Sequence, residues 1–265
     1  MNRIEKTFNR LAEKKEKALV GFVTAGDPTI EKSQEIIEAM CDSGIDILEL
    51  GVPFSDPTAD GPVIQRSSER SLANNTNLET VFKMTARLRE KSDVPVVLFS
   101  YYNPIYRYGG RAFYRSAKDA GADGILIVDL PPEESAELTS CREEEDFPLI
   151  RLLAPTTPED RIAAIAGSAS GFLYLVSMTG VTGSSGLDTS SVSEFCSLVR
   201  SRTTLPLCVG FGISTAEHVK QIAAYADGVV IGSAFERLIE EHIDDSGLVQ
   251  IIADKTREFK QATRL

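Results

Sequence analysis

Eight short apolar runs recur along this chain with an amphipathic segment between successive runs, and that rhythm restricts the fold more than any other feature. The first half carries KALVGFVTAG (17–26), IDILELGVP (45–53), VPVVLFSYY (94–102) and DGILIVDLP (123–131). The second half continues with PLIRLLA (148–154), GFLYLVS (171–177), PLCVGFGI (206–213) and DGVVIGS (227–233). Each run is nearly continuous in apolar residues rather than alternating, the pattern of parallel strands covered on both faces. The segments between them read as helices. Asp27-Pro28 reads as a cap and first helical residue ahead of Ile36, Ile37 and Met40. Thr157-Pro158 repeats the device before Ile162 and Ile165, and Ser214 with Glu217 reads as a capping box before Val219 and Ile222. Strand then helix, eight times over, predicts an α/β chain closed into a (β/α)8 TIM barrel. An open doubly wound sheet is the alternative, and even spacing favours closure. The 265 residues suit one barrel, so 1–265 is read as a single domain, with 2–14 as an extra N-terminal helix over the barrel bottom.

A barrel of this kind places chemistry at the C-terminal ends of its strands. Strand 7 ends in Gly210-Phe211-Gly212-Ile213-Ser214 and strand 8 in Gly232-Ser233-Ala234. Glycines let backbone approach a ligand, and the free amides of a helix start attract an anion. One such loop is an ordinary tight turn; two at these strands point to a phosphorylated substrate. After strand 6, SMTGVTGSSGLDTSS (177–191) is long and rich in Gly, Ser and Thr. It reads as a solvated connector or as a lid that excludes water, and its place beside the glycine loops favours the lid, with Thr182 and Gly183 as ligand contacts.

The stretch LELGVPFSDPTADGP (48–62) contributes carboxylates. In strand 2, Ile45, Ile47 and Glu49 share one face and Leu48 and Leu50 the other. Glu49 therefore sits in apolar company, where desolvation raises a carboxyl pKa and equips it to give and take a proton near neutrality. A structural ion pair is the competing reading, but no basic residue ends a neighbouring strand. Asp56 and Asp60 are natural turn formers, and their local chemistry does not distinguish them from structural residues. Asp129, at the end of strand 4, is a further candidate. Tyr101, Tyr102, Tyr106 and Tyr108 crowd the loop after strand 3, suited to packing, a substrate wall or a partner surface.

Absences narrow the chemistry. The histidines, His218 and His242, fall in a helix and a charged C-terminal stretch, away from any triad or metal pattern. No lysine ends a strand, which argues against a Schiff base. A formal net charge of -11 argues against nucleic acid or an anionic membrane as partner. Cys41, Cys141, Cys196 and Cys208 have no metal-ligand spacing and read as free thiols of a reducing cytoplasm. The first residues lack the apolar core of a signal peptide, and no run reaches the roughly 18 apolar residues of a membrane span. Metal-free proton transfer by carboxylates on a small phosphorylated molecule remains.

These motifs resemble one family. FVTAGDP (22–28), ELGVPFSDPTADGPVIQ (49–65), YYNPI (101–105), GVTG (180–183), GFGIS (210–214) and GSA (232–234) are together similar to the tryptophan synthase alpha chain, in order along nearly the whole sequence. The strand 2 motif is the specific one; the glycine loops suit several phosphate-binding barrels, sugar-phosphate isomerases among them. The resemblance implies retro-aldol cleavage of indole-3-glycerol phosphate to indole and glyceraldehyde 3-phosphate. It implies Glu49 as acid and base and Asp60 as acceptor for the indole N–H. It implies Phe22, Tyr174 and Phe211 as ring contacts, Thr182 as a lid residue, and Gly183, Gly212, Gly232 and Ser233 as the phosphate cradle. Asp56, Tyr102, Asn103 and Pro104 resemble the surface that faces a beta chain, which carries pyridoxal phosphate in an alpha2beta2 complex; no cofactor is expected in this chain. A catalytically weak regulatory subunit that binds phosphate and activates the beta chain is the alternative, and the retained Glu49, Asp60 and Thr182 argue against it.

Overall fold

The apolar runs do become parallel strands, and they close. A computed structural model describes residues 1–141, 147–176, 189–210 and 212–264. Its strands are β1 (Ala18–Thr24), β2 (Ile47–Gly51), β3 (Val96–Ser100), β4 (Gly124–Ile127), β5 (Leu149–Leu153), β6 (Leu173–Val176), β7 (Leu207–Gly210) and β8 (Gly228–Ile231). They pair in sequence order into a closed barrel. Closure is made by β8 lying parallel to β1, with Ala18 opposite Gly228 and Val20 opposite Val230.

Strand alternation sorts the apolar residues into two cores. Leu19, Val23, Leu48, Leu50, Val96 and Leu98 face outward and pack with helix residues such as Ile36, Ile37 and Met40. Val20, Ile47, Val97, Leu126, Ile150 and Val230 face inward and fill the barrel. Burial on both faces is the reason the runs are continuous rather than alternating. Ile45 departs from the expected alternation. It precedes the first residue of β2 and belongs to the outer core, against Met40.

The N-terminal helix, Arg3–Lys14, plugs the bottom. Ile4, Phe8 and Leu11 enter the inner core, and the Phe8 ring lies 6.0 Å from that of Phe172. Each such burial contributes roughly 1.5–3 kcal/mol, whereas the Asn2 cap that receives the Glu5 N–H at 2.9 Å is worth about 1 kcal/mol. Apolar contact rather than capping docks this helix.

Three helix starts differ from the sequence reading by one or two residues. The helix Ile30–Asp42 is capped by Thr29, which accepts from Lys32 N at 3.2 Å. The Asp27 carboxylate is instead held by Arg70, through two bonds of 2.7 Å. The Thr157 hydroxyl accepts from Ala154 N within the preceding turn, so Glu159–Ser168 starts without a side-chain cap. Thr215, not Ser214, caps Ala216–Ala223 by accepting from His218 N at 3.2 Å.

Candidate active site

The buried carboxylates of this barrel fall into two kinds. Near its bottom, Asp46 accepts from Leu19 N at 2.9 Å, Arg10 at 3.2 Å and Lys260 at 2.8 Å. Asp123 accepts from Val96 N at 2.8 Å, Arg89 at 2.9 Å and Arg3 at 3.0 Å. Those are structural carboxylates, with the desolvation of the charge offset by donors. Glu49 is the opposite case. It is 0% exposed, and neither carboxyl oxygen has a hydrogen-bond partner among the described residues. Alternation along β2 turns it inward, one layer above Ile47, with Phe22 its register neighbour on β1 and Val97 on β3. Burial alone pushes its pKa up to about 8, so the carboxyl is mainly protonated at neutral pH.

Glu49 opens on a cavity of about 270 Å³ at the C-terminal ends of the strands. Its apolar walls include Phe22, Phe99, Ile64, Tyr174 and Val230. Phe22 meets Phe99 edge-on, with centroids 5.0 Å apart. Tyr174 is 8% exposed, and burial followed by the neighbouring Glu49 keeps its phenol well above the ordinary range, hence neutral. Its hydroxyl occupies the space a side chain at position 210 would need, so Gly210 is fixed by close approach.

Asp60 enters from the loop after β2, where the chain turns into the helix Pro62–Ala73. Its Oδ2 accepts from the Tyr101 hydroxyl at 3.0 Å, and that hydroxyl in turn accepts from Ala59 N at 2.9 Å. Partial burial raises the Asp60 pKa, and the Tyr101 bond works the other way. The two carboxyl groups in one cavity thus have different surroundings: one fully buried and without a partner among the described residues, one half-buried and hydrogen-bonded. Burial raises both pKa values, and at Asp60 the Tyr101 bond opposes the rise.

The far wall is backbone. Gly212 holds a φ of 71°, which glycine adopts without strain. Gly232 and Ser233 stand at the start of the helix Ser233–Glu241, which has no side-chain cap. Its first amides are therefore available to an anion. Phe211, Thr182 and Gly183, with most of 177–191, lie outside the described residues.

Other candidates lie outside the cavity. The exposed carboxylate of Asp129 accepts from Tyr102 N at 2.7 Å and so starts the helix Tyr102–Tyr108. Asp56, Tyr102, Asn103 and Pro104 do not line the cavity; Asp56 and Asn103 are exposed, and the Tyr102 ring meets that of Tyr106 at a tilt, centroids 5.9 Å apart, with Tyr106 itself 61% exposed. Among the described residues no cluster of His, Cys, Asp or Glu is arranged to hold a metal ion. Sequence reasoning missed Phe99 and Arg237, and it named Tyr101 without its bond to Asp60. Phe99 was readable from alternation after Val97, and Arg237 from its place one helical turn beyond Ser233. The Tyr101–Asp60 pairing had no local signal, because the two lie 41 residues apart.

The family model for the tryptophan synthase alpha chain matches residues 8–264. The chain belongs to the tryptophan synthase alpha chain family. It is 71% identical to the tryptophan synthase alpha chain of Desulfosudis oleivorans, over 100% of both sequences. It is 61% identical to that of Desulfatibacillum aliphaticivorans, again over 100% of each. In three dimensions it matches a crystal structure of tryptophan synthase subunit alpha from Legionella pneumophila, with a TM-score of 0.92 and 38% identity over 99% of this chain and 98% of that one. Tryptophan synthase alpha chains are indole-3-glycerol-phosphate lyase subunits of tryptophan biosynthesis, and this chain has that role. The regulatory alternative is not favoured.

Proposed function

We propose that Glu49 and Asp60 carry the lyase reaction in this chain, with the phosphate of indole-3-glycerol phosphate on the amides of Gly212, Gly232 and Ser233. The observation that supports this most is the fully buried Glu49 carboxyl, without a partner among the described residues, facing a cavity shared with Asp60 and an uncapped helix start. Phe22, Tyr174 and Phe99 provide apolar walls for the indole ring. The resemblance adds Phe211, Thr182 and Gly183 to the substrate contacts.

Proton movement follows from the two environments. The protonated Glu49 gives its proton to C3 of the indole, leaving a positively charged indolenine. Asp60, ionised, accepts the ring N–H hydrogen bond and stabilises that charge. The resulting Glu49 carboxylate then takes the proton of the side-chain hydroxyl next to C3. As the O–H breaks, the carbonyl forms and the C3–carbon bond breaks, its electron pair returning to the ring. Indole and glyceraldehyde 3-phosphate are released, and Glu49 is again protonated. One group serves as acid and then base because its pKa of about 8 lies near the working pH.

The reading extends to assembly and location. The chain 1–265 acts as one barrel unit, cytoplasmic and without a cofactor of its own, delivering indole to a beta chain that carries pyridoxal phosphate in an alpha2beta2 complex. Asp56, Tyr102, Asn103 and Pro104 lie on the side of the loops offered to that partner. Among the described residues no helix is long and apolar enough to cross a membrane. The test is to give the purified chain indole-3-glycerol phosphate, alone and with a beta chain, and measure indole. Slow turnover alone and faster turnover with the partner are expected; no indole in either condition overturns the reading.

A further inference from the structure

Among the described residues, the cavity lining contains two acidic side chains, Glu49 and Asp60, and one basic one, Arg237. The chain has a formal net charge of -11, so a phosphorylated substrate approaches against an unfavourable field. Local positive charge is needed where the phosphate sits, and helix geometry supplies it. Arg237 is four residues after Ser233 in the helix Ser233–Glu241, and so lies on the same face one turn along. Side chains on a helix lean toward its N-terminus. The guanidinium stem therefore projects back along the wall that Ser233 and Gly232 begin.

The neighbouring charges leave Arg237 available for this. Arg66 is engaged by Glu240 at 2.6 Å, and Arg70 by Asp27 at 2.7 Å and Glu240 at 3.0 Å. Arg237 has no ion pair among the described residues. The acidic residue of the same helix turn, Glu236, points the other way: its Oε1 accepts from Thr24 N at 2.6 Å in the buried interior. Burial, reinforced by nearby Asp27, holds the Glu236 carboxyl well above the usual carboxylate range, so it does not cancel the charge of Arg237. The Glu49 carboxyl, buried, unpartnered and aimed into the same cavity, marks independently that this space receives a ligand.

We infer that Arg237 is the charge partner of the substrate's phosphate, a positioning residue that sets affinity for the phosphorylated part of the molecule and not for its indole ring. This rests on the reading of the cavity given above. The reaction run in reverse, from indole and glyceraldehyde 3-phosphate, separates the two halves. Arg237→Gln is expected to raise the KM for glyceraldehyde 3-phosphate about tenfold or more and leave the KM for indole within twofold, with Arg237→Lys restoring most of the loss. Added salt raises the wild-type KM for the phosphate compound more steeply than that of Arg237→Gln. Titration of sn-glycerol 3-phosphate, which carries phosphate without indole, is the activity-independent arm, and wild type should bind it at least tenfold more tightly than Arg237→Gln. Equal affinities in that titration, or parallel rises in both KM values, overturn the inference. A tenfold difference in the titration with no indole formed by wild type would uphold Arg237 and overturn the proposed reaction instead.

Discussion

Glu49 sits at a cost to stability, and its size makes it measurable. Its ordinary pKa is 4.5 and its folded value about 8, so between those limits the folded chain keeps a proton that the unfolded chain releases. Stability at this site is therefore full below pH 4.5 and falls as pH rises toward 8. Glutamine has the same shape and cannot ionise. The stability of Glu49→Gln relative to wild type should rise by about 3 kcal/mol between pH 4.5 and pH 7, measured by urea unfolding at each pH. A pH-independent difference would show that Glu49 is solvated or paired. The same group gives kcat/KM a fall above about pH 8, as the proton needed for C3 is lost. Asp60 depends on Tyr101, which holds both its carboxylate and the Ala59 N–H. Tyr101→Phe removes those bonds, with an expected stability loss of about 1–3 kcal/mol. It should also lower kcat roughly tenfold while the affinity for sn-glycerol 3-phosphate stays within threefold. Unchanged kcat would place Asp60 outside the reaction.

At the level of elements, the strands were legible and the helix starts were not, for a physical reason. A strand buried on both faces must be apolar throughout, so Ile47–Gly51 and Val96–Ser100 stand out without knowledge of their neighbours. A cap is one polar residue among several, and tertiary partners decide which is free to serve. Asp27 has the chemistry of a cap but is held by Arg70, so Thr29 takes the place. The site was legible to the same extent. Glu49 could be read from strand alternation, whereas Asp60 came from the family resemblance, because a turn carboxylate has no local mark of function. Gly210 illustrates contact that only the fold reveals: Tyr174 fills the space beside it, from the next strand. Gly210→Ala should displace that ring into the cavity and raise KM at least tenfold, checked by steady-state kinetics. An unchanged KM would mean that Tyr174 does not bound the substrate space.

Over the whole molecule, the stabilising contacts and the proposed chemistry occupy opposite ends of the barrel. The bottom is plugged by Ile4, Phe8 and Leu11 and tied by the paired Asp46 and Asp123, whereas the top keeps Glu49 unpaired. Phe8→Ala should therefore cost about 3–5 kcal/mol in denaturant unfolding, with kcat of the folded protein kept within twofold; a large loss of kcat would show that the two ends are not separable. The central claim is that Glu49 moves the protons of the cleavage. It is tested most directly by indole release from indole-3-glycerol phosphate in a single turnover, wild type against Glu49→Gln, with the beta chain present. The expected result is loss of at least a thousandfold in rate while sn-glycerol 3-phosphate still binds. Indole released by Glu49→Gln at close to the wild-type rate would contradict the account.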